Sequence, residues 1–288
     1  MNASDPQSFI ETAQKLAPQI RASADEIEAT RELPPALFEA IADAGLLRLA
    51  LPRALGGAEL DPPTYIQVIE EISKADASTG WVVNQLGVFS TYAARMPREA
   101  ARAIWSSPRH TVANTPAATA QAVVVPGGYR VTGRQGFSTG CRHAAWLAAH
   151  AVIMENGTPR LEDGQPETKY FFVPAAEAEI VDTWRVRGMR GTGTHHFAVN
   201  DVFVPAERTV SVTTAPLVET GPLYRIPRTL LFASGDGSVA LGVARSCLNA
   251  FLELAGAKTP RAMPALLRDQ SMVQATVGRA EADLRSGH

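Results

Sequence analysis

"RVRGMRGTGTHHFAVNDVFVPAERTV", residues Arg185–Val210, places three glycines and two threonines between Gly188 and Thr194, then an alternating run that ends Asp-Val-Phe-Val-Pro. Three readings compete. The glycines could cradle a phosphate, sit beside a metal because of His195 and His196, or turn one strand into the next. A phosphate loop is excluded, because the Lys-Ser/Thr ending is missing and the glycines lie between β-like runs rather than before a helix. Adjacent histidines on a strand point to opposite faces. His110, His143 and His150 add no ligand-spaced set, so no metal site is expected. A strand-to-strand turn remains, with backbone N–H groups still able to touch a ligand if a cleft adjoins it.

Outward from this stretch, the sequence changes period twice. Residues 7–30 carry Ile10, Ala13, Leu16, Ile20, Ala24 and Ile27 at helical spacing. "LPPALFEAIADAGLL", "DPPTYIQVIEEISKADAS" and "PREAARAIW" each open on proline, as helix first turns do. "STGWVVNQLGVFSTYAARM" is apolar all round and reads as a buried helix. From about residue 110, short apolar runs are broken by Gly, Pro, Asp and Asn, with a Pro-Gly-Gly hairpin signal in "AVVVPGGYRV". Four or more strands without an intervening helix predict an antiparallel barrel or sandwich. Helical patterning returns from about 225. The fold class is therefore α+β: an N-terminal helical domain (1–109), a middle β domain (110–222) and the start of a C-terminal helical bundle (223–288).

Composition narrows the function. The chain has 288 residues, a net charge of −2 and 19% charged residues, with no basic excess for nucleic acid. Two distant cysteines, Cys141 and Cys247, form no disulfide framework. The first residues lack the basic and apolar regions of a signal peptide. No apolar run is read as approaching the ~20 residues that span a bilayer. The expected setting is cytoplasmic, without a membrane or nucleic-acid partner.

The remaining motifs have plain readings beside functional ones. Gly235, Gly237 and Ala240 in "GDGSVALG" match a relaxed dinucleotide fingerprint, but no second strand follows. Small residues that let helices approach closely are the preferred reading. No Ser/His/Asp set or G-x-S-x-G elbow is present. Glu70, Glu71 and Asp76 read as a solvated helix face. "GRQGFSTGCRHAAW" combines Phe137 and Trp146 with Ser138 and Thr139, which suits either a flat heteroaromatic pocket or an ordinary bulged strand. Trp81 and Asn84, one turn apart, either face a pocket or pack in the core.

Several of these segments together resemble the acyl-CoA dehydrogenase superfamily. "GGYRVTGRQGFSTGCRHAAWLAAHAVI" is similar to its flavin-binding strands, and "TWRVRGMRGTGTHHFAVNDVFVPAERT" to the strand pair that closes its β domain. "ELPPALFEAIADAGLLRLALPRALGGAEL" is like its N-terminal helices, and "DQSMVQATVGRAEADLRS" like the start of its C-terminal bundle. The Arg-Gly-Thr-Gly-Thr form resembles the two-component flavin monooxygenase branch. "ANTPAATAQ" lacks the Glu-Pro-x-x-Gly-Ser-Asp of the dehydrogenases, and "PRAMPALLRDQ" lacks their Arg-x-x-Phe-Gly.

The resemblance implies an oxygenase component that hydroxylates a small organic substrate with FMN or FAD, reduced by a separate flavin reductase. The alternatives are an FAD-dependent acyl-CoA dehydrogenase and an inactive fragment that acts by binding. Carried over by position, Asn114, Thr115, Phe137, Ser138 and Thr139 flank the flavin, with the Ser138 hydroxyl near N5, while Trp81 and Asn84 line the substrate side. A homotetramer is implied as well. Family members continue beyond "LRSGH", so an incomplete bundle is expected, with Leu241, Leu248, Leu252, Val273 and Val277 short of partners. Family bases usually lie in the absent portion, and the first C-terminal helix offers only Asp236.

Overall fold

In a computed structural model that describes residues 5–211, 214–261 and 264–288, side-chain caps set the helix starts. Asp5 accepts from the Gln7 amide ahead of α1 (Pro6–Ala22), and Asp61 from the Thr64 amide ahead of α4 (Pro62–Ala75). Asp76 accepts from the Thr79 amide at 2.7 Å ahead of α5 (Ala77–Phe89). Each such cap contributes about 1 kcal/mol. Asp76 is thus a cap rather than part of a solvated face, and Glu70 is buried, with Lys74 and His288 as partners. Between these helices lie α2 (Ala24–Thr30) and α3 (Pro35–Asp43), and α6 (Arg98–Ile104) closes the first helical region. As its composition predicts, α5 is buried on nearly every side.

Eleven strands follow among the described residues. They are β1 (Val112–Asn114), β2 (Ala120–Val125), β3 (Gly128–Ser138), β4 (Trp146–Glu155), β5 (Thr158–Pro159), β6 (Leu161–Glu162), β7 (Gln165–Pro166), β8 (Thr168–Pro174), β9 (Glu179–Val181), β10 (His195–Pro205) and β11 (Thr209–Ser211). The main sheet runs in the order β11-β8-β4-β2-β3-β10-β9, with β1 and β5 also paired to β4. The sheet does not close on itself, and it is mixed rather than wholly antiparallel. β4 runs parallel to β1 and β2. The reason is topological: β2 and β3 form the expected hairpin, and β4 then returns along the free edge of β2 instead of adding beside β3.

The opening stretch supplies β10, preceded by a 3-10 turn at Arg190–Thr192. Gly191 is needed there for close approach, because a Cβ would lie 2.0 Å from Ile27 Cγ2 on α2 and 3.0 Å from Ser78 Cβ on α5. The turn is therefore docked onto both helices.

α7 (Arg228–Ala257) and α8 (Ser271–Ser286) complete the described fold. "GDGSVALG" lies inside α7 and not at a strand-to-helix turn, so the dinucleotide reading falls. α7 also corrects the expectation of no long apolar run, since its 30 residues are long and apolar enough to cross a membrane by length and composition. Its alanines, glycines and serines conceal this in the sequence. In this fold its first half packs on α4 and α5. A buried cluster joins α1–α5 to the sheet through residues such as Ile41, Leu46, Ile69, Val83, Leu147 and Phe197.

Candidate active site

α5, the end of β3, the Trp184–Thr194 turn and the start of α7 enclose a cavity of about 1050 Å³. Trp81, Phe137, Trp184, Met189 and Phe232 supply apolar walls, and Thr139, Thr192 and Thr194 supply hydroxyls. The Phe137 ring reaches this space because the strand is irregular. Ser138 pairs with His195 and Gln135 with Phe197, so two residues of β3 oppose one of β10. Phe137 takes φ +58° at this bulge and is 63% exposed. A non-glycine residue held there costs about 1–3 kcal/mol, a strain typical of functional sites. Its ring meets Trp184 edge-on, with centroids 6.3 Å apart.

The hydroxyls form a chain whose protons have one consistent arrangement. Thr192 Oγ1 donates to the Met189 carbonyl at 2.9 Å. It must therefore accept from Thr194 Oγ1, 2.7 Å away. Thr194 in turn accepts from Thr139 Oγ1 at 3.0 Å, and Thr139 accepts from the Trp81 indole N–H at 3.3 Å. Each hydroxyl has one proton to donate. With its proton committed to Thr194, Thr139 offers the cavity a lone pair and no donor.

The Trp184 wall is clamped from behind. Arg31 donates from both terminal nitrogens to Asp182 at 2.7 Å and from Nη1 to the Trp184 carbonyl at 2.9 Å. This pairing holds the Asp182 carboxyl well below the usual carboxylate range. Buried His195 accepts the Thr183 and Trp184 amides on Nδ1, so its proton sits on Nε2, and burial lowers its pKa.

The α7 side is charged. Asp236 Oδ1 accepts from Asn84 Nδ2 and Gln85 Nε2, each at 2.9 Å, and Tyr65 Oη lies 3.0 Å from Asn84 Oδ1. Burial raises the Asp236 pKa, while the two amide donors pull it back. Arg95, Arg225 and Arg228 also line the cavity, and among the described residues Asp236 is the only carboxylate in its lining. Burial, and then the charge of Arg228, lower the Arg95 pKa.

Of the residues singled out from sequence, Trp81, Asn114, Phe137 and Thr139 line the cavity. Three do not. Ser138 is fully buried, with its hydroxyl unpartnered in the interior, because the bulge turns Phe137 and Thr139 to the cavity and Ser138 away. A Ser138 hydroxyl contact with a cavity ligand is therefore corrected. Thr115 is also fully buried and donates to the Gly136 carbonyl at 2.7 Å, which braces the bulge. Asn84 is buried behind Asp236 and orients it. Sequence reasoning missed Trp184, Thr192, Thr194, Phe232 and the three arginines. The Gly-Thr-Gly-Thr alternation was the available signal for the two threonines.

A sheet wall with an aromatic platform, an acceptor hydroxyl and a helical roof has the shape and chemistry that suit a flat heteroaromatic ligand between sheet and helices. The family models for the acyl-CoA dehydrogenase N-terminal and C-terminal domains match residues 4–108 and 234–287. The flavin-dependent monooxygenase oxygenase subunit HsaA of Rhodococcus jostii (strain RHA1) is 31% identical over 93% of this chain and 71% of its own length. The oxygenase component of p-hydroxyphenylacetate 3-hydroxylase of Acinetobacter baumannii is 28% identical over 95% and 68%. Among solved structures, XiaF from Streptomyces sp. in complex with FADH2 and glycerol superposes with a TM-score of 0.89, at 28% identity, covering 97% of this chain and 72% of that one. The chain belongs to the acyl-CoA dehydrogenase family, in its branch of flavin-dependent monooxygenase oxygenase subunits.

Proposed function

We propose that this chain is the oxygenase component of a two-component flavin-dependent monooxygenase that hydroxylates a small aromatic substrate with reduced flavin from a separate reductase. The observation that carries this reading is the acceptor-only Thr139 hydroxyl beside the exposed Phe137 ring. A reduced flavin has an N–H on its central ring that the oxidised form lacks, so a wall oxygen that can only accept favours the reduced state. The aromatic walls and the cavity size also suit such a ligand. Asn114, Phe137 and Thr139 would hold the ring system, and Trp81 would border the substrate. Thr115, Ser138 and Asn84 would act from behind the wall.

Bound reduced flavin supplies the two electrons with which dioxygen is activated and one oxygen atom delivered to the substrate. The chain's own part is to exclude water with Trp81, Phe137, Trp184 and Phe232, to fix the ring by the Trp81-Thr139-Thr194-Thr192 chain, and to hold a substrate proton at Asp236. The reading extends to FMN or FAD as cofactor, to three units at 1–109, 110–222 and 223–288, and to a homo-oligomer. Two free cysteines support a cytoplasmic setting.

A reductase-coupled assay tests it, with phenolic substrates and labelled dioxygen read by mass spectrometry. One labelled oxygen atom per product is expected, with no oxidation of acyl-CoA thioesters. Thioester oxidation without hydroxylation would assign the chain to the dehydrogenase reaction instead.

A further inference from the structure

The first two turns of α7 place three different side chains on the cavity at i, i+4 and i+8: Arg228, Phe232 and Asp236. Residues at this spacing share one helix face. At 1.5 Å per residue the row spans about 12 Å along the axis, with the aromatic ring midway. Arg228 is positioned over the Tyr92 ring, 4.0 Å from its centroid. Tyr92 meets Tyr170 edge-on at 5.1 Å, and both line the cavity. Arg225 lies three residues before Arg228. Arg95 is held by two backbone carbonyls, those of Ala215 and Tyr224, which neutralise none of its charge. Among the described residues, three guanidiniums thus face a cavity whose lining has one carboxylate, in a chain of net charge −2. At the other end of the row, Asn84 and Gln85 both use Oδ1 of Asp236, leaving Oδ2 for another donor.

We propose that the Arg95-Arg225-Arg228 end of the cavity binds a carboxylate of the substrate, with its ring against Phe232 and a hydroxyl donating to Asp236. The substrate class is then a hydroxyaryl acid rather than a neutral phenol or an aryl amine. This rests on the oxygenase reading of the cavity, which it makes more specific. Guanidinium forks match a planar carboxylate with paired hydrogen bonds. A flavin phosphate presents the same kind of anionic oxygen, but its sugar-alcohol tail brings no ring to Phe232 and no acidic hydroxyl to Asp236.

The test is calorimetric titration of the flavin-free chain, with coupled turnover in parallel. The probes are 4-hydroxyphenylacetate, its primary amide and tyramine. The acid is expected to bind about tenfold tighter than the amide, a charge-assisted hydrogen bond's worth, with tyramine the weakest. Added salt should weaken the acid and leave the amide unchanged. Arg228→Gln should erase the acid-over-amide ratio, and Arg228→Lys should keep part of it. If Arg228→Gln does not fold, Arg225→Gln at an exposed position carries the same comparison. Equal binding of acid and amide by the unaltered protein would overturn the proposal. So would an Arg228→Gln variant that loses preference for FMN over riboflavin while keeping its acid-over-amide ratio, because the cations would then serve the flavin phosphate. Acid preference without hydroxylation of any probe would sustain the subsite and remove the oxygenase reading. Equal hydroxylation of all three probes would do the reverse.

Discussion

The two halves of α7 differ sharply. In the first, Leu231, Gly235, Ser238, Val239 and Gly242 are buried against α4 and α5, and Arg228, Phe232 and Asp236 face the cavity. In the second, Val243, Phe251, Leu252 and Leu254 are 36–49% exposed, and only Ala255 is buried. One continuous helix thus has a half fixed by steric fit, which builds the site, and a half that the described chain leaves largely uncovered. Hydropathy is similar along the helix. Close approach at glycine distinguishes the halves: a Cβ would lie 1.9 Å from Asn84 Oδ1 at Gly235 and 2.6 Å from Ser73 Cβ at Gly242, whereas Gly256 in the second half has nothing within 4 Å.

The largest expected effect comes from closing that approach. A Cβ at Gly235 would lie 1.9 Å from Asn84 Oδ1, and Asn84 is buried and bonded to Asp236, so it has nowhere to move. Gly235→Val should cost about 1–3 kcal/mol in denaturant unfolding and abolish ligand binding in the cavity. Unaltered stability would mean that the two helices do not meet as closely as described.

A smaller effect should follow from Asp236→Asn, which keeps an oxygen for the two amide donors. The folded protein raises the Asp236 pKa, so this carboxyl's contribution is fully present below the usual carboxylate pKa of about 3.9 and is lost as pH rises through the higher folded value. The melting temperature of the variant relative to the parent should therefore rise between pH 4 and pH 7, by an amount under about 1 kcal/mol in stability. A difference that falls with pH would reverse the assigned cause.

The smallest effect belongs to the second half. Leu252→Ser, at a 44% exposed position, should stay within about 0.5 kcal/mol of the parent and leave cavity binding unchanged. A large loss would show that this half is as tightly constrained as the first.

The same contrast explains what could be read from sequence. Element order, the buried character of α5 and the hairpin joining β2 to β3 follow from local periodicity and turn residues; the motifs around Phe137 and Gly191 suggest the resemblance, and the family models match outside them, at residues 4–108 and 234–287. Strand order does not follow, because β4 joins β2 across an edge that only the folded sheet defines. The position of Ser138 came from the resemblance alone, whereas in the folded strand Phe137 and Thr139 face the cavity and the Ser138 side chain between them is buried. Nor were the arginines legible as a group: Arg95 and Arg228 are separated by the entire sheet and meet only when α7 is laid over α5.

Anaerobic titration with reduced FMN, followed by fluorescence of Trp81 and Trp184, tests the central claim most directly. Saturable quenching is predicted, about tenfold weaker in Thr139→Val and unchanged in Ser138→Ala. Quenching that ignores Thr139 but depends on Ser138, or no saturable binding at all, would contradict a flavin held on this wall.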